Sequence, residues 1–484
     1  MSQPVHSATT RASIRLNATL VAALSGAMGA AQAETAPTPA GPLTTHGITL
    51  YGTVDLAAQY QSHGTPESDY HPAVTEALIN KNSNGSQTTI TGNQLSPSRV
   101  GLKGLEDFGN GWAGVFKLET LFDPQSGNIS DALHSMTINN GVALASQTTG
   151  ADSAIAGQFF TGAAYAGLGN DRFGTVTVGR QTSLIADAMT SYDPMGGAQG
   201  FALIGWAGTY MGGGSTENKR LDGSVKYEVA VHGLHLGAMF QPKGGSNPGT
   251  AQQFTLGFSF PGGSVDAVYA QKNDALTSAS LNAAQVARVG QVCAGAVVAG
   301  FSCAATDKAL AGTASDNTAT AILARYQLTA AATLFAGYEH IQYQNPSTPV
   351  VAGQSNIGGY VLVTVNNAAY PSQKTLGVSW AGVKYKATSK LELTGAYYRY
   401  DQNAYETDAA RDLTRPADQP GCSKAVSPKC SGSLSAASFL ANYRFTKRVD
   451  AYAGAMWSQI QGGPATDFLN TSTIACTIGV RYMF

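Results

Sequence analysis

Charge is scarce in this sequence. Only 12% of its 484 residues are Asp, Glu, Lys or Arg, about half the roughly 25% of an average soluble domain. Neither sign dominates: 29 basic residues stand against 30 acidic ones, so no basic surface for a nucleic-acid partner is implied. Long apolar runs are missing as well, which disfavours membrane-spanning helices, each needing about 20 apolar residues. Cysteine is sparse, with five in all. Aromatics are not: 21 Tyr and 17 Phe argue against the aromatic-poor composition of disordered chains. Uncharged polar residues and 56 glycines take the place of the absent charge. Glycine disfavours helix interiors and tyrosine favours strands, so the composition predicts an extended, all-β chain.

The first 33 residues read as a secretory signal. Arg11 and Arg15 form a positive start, a small and apolar stretch runs through Leu20, Val21, Leu24 and Met28, and Ala31-Gln32-Ala33 fits the cleavage pattern. Removing residues 1–33 leaves 27 basic against 30 acidic residues, a net charge of −3. Residues 34–46, with three prolines, read as a flexible lead-in to a single domain over 47–484. Export gives the cysteines a role: Cys293 and Cys303 lie in one loop-like stretch, Cys422 and Cys430 in another. In an oxidising compartment each pair is expected to form a local disulfide. Cys476 falls in a strand pattern as a small apolar residue.

From Gly47 onward the dominant period is two. Ile48, Leu50, Val54, Leu56, Ala58 and Tyr60 alternate with Thr49, Tyr51, Thr53, Asp55 and Gln59. Leu221, Val225, Tyr227 and Val229 alternate with Arg220, Asp222, Ser224, Lys226 and Glu228. Similar alternation runs through 253–260 and 473–484. The runs are long for soluble strands and match the nine to eleven residues or so that a tilted strand needs to cross a bilayer. An open sheet edge would leave backbone groups unsatisfied in lipid, so the sheet must close. The expectation is a transmembrane antiparallel β-barrel. Short periplasmic turns fall at 106–111, 261–263, 387–390 and 446–448, and long extracellular loops at about 61–94, 123–160, 181–218, 271–317, 343–374 and 401–434.

Six blocks then carry a resemblance. Residues 47–55 (GITLYGTVD), 98–112 (SRVGLKGLEDFGNGW), 116–120 (FKLET), 173–181 (FGTVTVGRQ), 443–452 (YRFTKRVDAY) and 478–484 (IGVRYMF) resemble, in family order, the general porins of β-proteobacteria, the Neisseria and Burkholderia type. The resemblance implies a sixteen-stranded barrel in the Gram-negative outer membrane. It also implies a homotrimer that passes small hydrophilic solutes and ions by passive diffusion. A terminal aromatic such as Phe484 is read in that family by the outer-membrane assembly machinery. The long loops depart from the family pattern and keep open a substrate-specific porin with a solute-binding constriction.

A diffusion channel performs no bond chemistry, so its site is the narrowing. Residues 181–218 are the candidate for a loop folded into the barrel, with Asp187, Asp193 and a glycine-rich turn at 193–197. Facing it, inward parity predicts a basic wall of Arg99, Lys103, Lys117, Arg220 and Lys226. Strict alternation groups Arg180 with Val176 and Val178 on the outer face; the resemblance places it inside, across a bulge. Carboxylates facing a basic wall would set a transverse field and an ion preference. Neither an enzyme nor a metal or cofactor protein is expected. His232 and His235 are three apart, which on a strand sends them to opposite faces. His63 and His71 fall in a polar loop, Gly-rich 211–216 lacks the lysine of a phosphate-binding loop, and no H-E-x-x-H or G-x-S-x-G motif occurs. A soluble secreted β-protein remains the alternative of another class, and would stay in the aqueous fraction without detergent.

Overall fold

The computed structural model describes residues 43–67, 74–129, 146, 159–204, 219–244, 249–278, 312–344, 346–347, 356–357, 360–361, 373–404, 431–465 and 468–484. The signal segment and the four loop cysteines, Cys293, Cys303, Cys422 and Cys430, lie outside them. Among the described residues sixteen antiparallel strands follow one another around a closed barrel. They are β1 (Ile48–Gln61), β2 (Arg99–Gly109), β3 (Trp112–Leu121), β4 (Ala163–Asn170), β5 (Gly174–Thr182), β6 (Arg220–Val231), β7 (Leu234–Gln241) and β8 (Ala251–Phe260). The second half comprises β9 (Gly263–Ser278), β10 (Gly312–Gln327), β11 (Ala332–Gln344), β12 (Lys374–Lys386), β13 (Leu391–Gln402), β14 (Gly432–Arg444), β15 (Val449–Gly462) and β16 (Ser472–Met483). Closure is made by β16 against β1, in register from Met483 opposite Thr53 to Ala475 opposite Gln61. Leu43–Thr45 pairs with Ile48–Leu50 and occupies the remainder of that edge.

Period two explains the wall. On β1 the outward Ile48, Leu50, Leu56 and Tyr60 are exposed, while the inward Thr53, Asp55, Gln59 and Gln61 are buried. The same outward display continues through Phe254, Leu256 and Phe258 on β8 and Ile478, Val480 and Tyr482 on β16. All turns at one end are short. Besides the four expected from sequence, turns occur at 171–173, 232–233 and 328–331, the second through positive φ at His232 and Gly233. The strand ends joined by the long connections lie at the other end. Two strands run further into them than alternation indicated, β9 to Ser278 and β10 from Gly312.

The interior is not uniform. On β1–β8 the inward residues are mostly polar or charged. On β9–β16 they include Val268, Leu323, Ile341, Val378, Tyr398, Leu434, Met456 and Ile460, all at most 4% exposed. One helix and two inward segments cover this apolar half: α1 (Leu184–Tyr192), the chain that follows it to residue 204, and residues 77–79 from the first long connection. Leu78, Ile79, Phe201 and Leu203 have 0% of their surface accessible. Half of the barrel is therefore packed as a hydrophobic core.

Candidate functional site

The segment after β5 turns inward at once. Ser183 Oγ accepts from Ala186 N at 3.3 Å and caps α1, and Gln253 Oε1 on β8 accepts from Ile185 N at 3.1 Å. Further along, Tyr192 donates to Ser264 Oγ on β9 at 2.8 Å. The indole N–H of Trp380 on β12 donates to the Tyr192 carbonyl at 3.0 Å. The helix thus crosses from β5 to the opposite wall. Burial raises the Tyr192 phenol to about 12, which keeps it a neutral donor.

Asp193 ends the helix and fixes the turn. It accepts from the Tyr398 hydroxyl at 2.6 Å, from Gly197 N at 2.6 Å and from Met195 N at 3.2 Å. Burial pushes its carboxyl above the ordinary carboxylate range, against the pull of those three donors. Gly196 and Gly197 take φ of 65° and 71°, the left-handed region that glycine enters without strain. A Cβ on Gly382 of β12 would lie 2.5 Å from Pro194, so glycine there lets the turn seat against the wall. Beyond it, Tyr400 donates to the Leu203 carbonyl at 2.8 Å and Phe201 packs edge-on to Tyr452 of β15 at 6.1 Å. Asp193, expected among the field-setting carboxylates, is a 1% exposed anchor. Asp187 is different: it keeps 42% of its side chain accessible.

On β2 and β3, three of the expected basic residues come together. Arg99 and Lys117 approach Glu119 Oε2 at 3.6 and 3.2 Å. Tyr51 donates to the same oxygen at 2.9 Å. The Lys103 and Lys117 ammonium groups lie 5.6 and 5.8 Å from the centre of the Tyr51 ring, within cation–π range. Their Cα atoms are direct cross-strand partners, an unfavourable juxtaposition of like charge that Glu119 partly offsets.

The other expected basic residues sit elsewhere. Lys226 is on the acidic side, with Asp187 at 2.8 Å and Glu228 at 3.4 Å. Arg220 donates to the Gly162 carbonyl at 2.6 Å. Arg180 donates twice to the Thr161 carbonyl, at 3.1 and 2.8 Å, and pairs with Asp222. An irregularity does fall there: the register between β5 and β6 slips between Gly179 and Gln181. Its effect is that Gln181 bonds the inward Thr177, while Arg180 and Arg220 hold the residues just before β4.

Between α1 and β5–β9 lies a cavity of about 450 Å³, lined among others by Asp187, Glu228, His235, Thr255 and Asp266. His235 Nε2 meets Asp266 Oδ1, and His232 lies in a turn. Glu119, Glu228 and Asp266 were not singled out from sequence, although inward parity on β3, β6 and β9 contains them. Tyr51 shares the inward face of β1 in the same way. Phe484, at the seam, exchanges two backbone hydrogen bonds of 3.1 Å with Gly52. Its ring occupies the space a side chain at Gly52 would need.

A sequence profile of the Gram-negative porin family matches residues 18–462. An outer membrane porin protein of Bordetella pertussis is 29% identical over 251 residues, 51% of this chain and 49% of that protein. The match therefore spans about half the length of that relative. Among solved structures, an anion-selective porin from Comamonas acidovorans superposes with a TM-score of 0.56 at 15% identity, covering 90% of this chain and 99% of its own. A trimer form of in-vitro folded OmpT from Vibrio cholerae gives 0.50 at 13%, covering 90% and 99%. At these identities the structural likeness establishes the fold.

Proposed function

The chain belongs to the Gram-negative porin family, and from that premise we propose that it is an outer-membrane channel for passive diffusion of small hydrophilic solutes and ions. The observation that carries the proposal is the division of the barrel interior. One half is filled by α1 and the inward segments, so solutes have the polar half, lined by β1–β8. There β2 and β3 carry Arg99, Lys103 and Lys117, while α1, β6 and the adjoining edge of β9 carry Asp187, Glu228 and Asp266. Fixed charges of opposite sign across a watered narrowing create a transverse field that favours polar solutes and slows apolar ones. Each group is held by an ion pair, a hydrogen bond or an aromatic face, so the field does not depend on mobile side chains. No covalent step is required of any of them, and the role is not enzymatic. A homotrimer is the proposed assembly, supported by the trimer form of the Vibrio protein. Phe484 at the seam is the proposed assembly signal.

Planar-bilayer recording tests the reading. Large, steady, ohmic steps are expected, without block by added sugars or organic acids. Concentration-dependent block by one solute would move the protein to the substrate-specific class, and absence of any step would end the channel proposal. Replacing Arg99 and Lys103 by Gln is expected to shift the reversal potential in a salt gradient toward cations; no shift would remove both from the narrowing. The outer wall offers a separate test. Ile322 on β10 is 66% exposed, and Ile322→Arg is expected to cost about 2–4 kcal/mol of stability in lipid vesicles, read by urea titration. A cost near zero would mean that this face does not meet hydrocarbon.

A further inference from the structure

The inner segment is not held by the barrel wall alone. At Gly200 it meets a piece of chain that leaves the wall. Residues 93–98 depart from the sheet between the short strand Gln87–Gly92 and β2. Both of these pair with β1, Leu56 opposite Gly92 and Thr53 opposite Arg99. Two residues of β1 therefore face an excursion of six, which begins at Asn93 with φ of 64°. Asp55 holds its near side by accepting from Leu95 N and Ser96 N, both at 2.7 Å.

Gln94 stands at the centre of this excursion and is 0% exposed. Its side chain accepts from Gln59 Nε2 of β1 at 2.9 Å and donates to the Thr75 carbonyl at 2.9 Å and to Thr91 Oγ1 at 3.2 Å. Its backbone carbonyl accepts from Gly200 N of the inner segment at 2.9 Å. A Cβ on Gly200 would lie 2.6 Å from Gln94 Oε1, so the two chains meet as closely as glycine allows. One residue thus ties the wall, the first long connection and the inner segment at Gly200. The first connection is itself fixed to the far wall, where Ile79 N donates to Ser458 Oγ on β15 at 2.9 Å.

We propose that Gln94 is a positioning residue for the channel's narrowing: it fixes where the inner segment lies at Gly200, and with it the cross-section left open along β1–β8. The proposal rests on the channel reading above and adds the first long connection as a second element that shapes the lumen. Gln94 touches no solute. It acts by holding Gly200 and Thr75 in a dry site, where its hydrogen bonds have no water to replace them.

Gln94→Ala removes the side-chain bonds to Gln59, Thr75 and Thr91, so the backbone carbonyl that accepts from Gly200 is kept but no longer held in place. At typical net hydrogen-bond strengths the fraction in which residues 93–98 leave their seat, shifting Gly200 with them, should rise about tenfold or more. In planar bilayers the expected result is a noisier open channel with frequent steps between conductance levels, and a changed reversal potential. Only folded barrels insert, and the heat-modifiable gel shift should persist. Gly200→Ala approaches the same contact from the other chain and should give the same noise even if Gln94→Ala fails to fold. Combining the two should add little. Thr88→Ala, on the exposed outer face of the neighbouring short strand, should behave as wild type. A purely structural role predicts a lower melting temperature with unchanged single-channel noise and reversal potential, and that result in both variants would overturn the proposal. A silent wild-type protein would instead remove the channel reading on which it stands.

Discussion

Replacing Asp193 by Ala is expected to release the inner segment from the far wall. The carboxylate answers three donors, the Tyr398 hydroxyl and the Gly197 and Met195 amides, at a site where Tyr398 is 0% exposed. Each donor left unsatisfied in such surroundings costs about 1–3 kcal/mol. The sum exceeds what a surface loop contributes, so the segment should undock and hydrate rather than remain strained in place. Trp380 would then lose its acceptor at the Tyr192 carbonyl, and Pro194 its seat against Gly382. The expected channel is wider, with conductance raised severalfold and no single stable level. Asp193→Asn keeps one oxygen for Tyr398 and should show a smaller change in the same direction. Tyr398→Phe tests the partner: it removes one donor, leaves the turn amides bonded, and should fall between Asn and wild type. If Asp193→Ala channels match wild type in conductance and noise, this aspartate does not hold the segment. The segment would then be held by its other contacts, among them the packing of Phe201 and the bond from Tyr400 to the Leu203 carbonyl.

Half of this architecture is legible in the sequence, and the division has a physical origin. Strands such as β1 and β8 place apolar residues outward and polar ones inward, so alternation reveals both the strand and its faces. On β10–β15 the inward face is apolar as well, because it packs against α1 and the inward segments. Val378 and Trp380 alternate with outward Val383 and Tyr385, and no contrast between faces remains to be read. The inner segment lies within the expected residues 181–218, and Asp187 on α1 lines the cavity against β5–β9. Asp193 groups with it in the sequence because both are acids in one loop. What separates them is Tyr398, 205 residues distant in sequence, and no local pattern carries that contact. Arg180 shows the same limit: parity and resemblance disagree there because the register slips at Gly179. Glu119, Glu228 and Asp266 are within reach of parity alone, since each lies an even number of residues from an inward neighbour on its own strand.

Lys226 carries the second large effect. Its side chain is only 10% accessible and lies 2.8 Å from Asp187 and 3.4 Å from Glu228. It therefore offsets both carboxylates, and it also joins α1 to β6. With Lys226→Gln, two acids with partly accessible side chains are left without their shared cation, next to Asp266 in the same cavity. One charge at about 4 Å is worth roughly 1 kcal/mol in water and more beside a protein wall. The ratio of cation to anion permeability should therefore rise about fivefold or more, measured as reversal potential across a salt gradient. The same substitution weakens the bond between α1 and the wall, so a change in noise would accompany the change in selectivity. The double variant Lys226→Gln with Asp187→Asn separates the two causes. It leaves the tether weakened but removes one acid with the cation, so selectivity should return toward wild type while any added noise persists. If the double variant stays as cation-selective as the single one, Asp187 does not face the permeating ions. The acidic side of the field would then rest on Glu228 and Asp266.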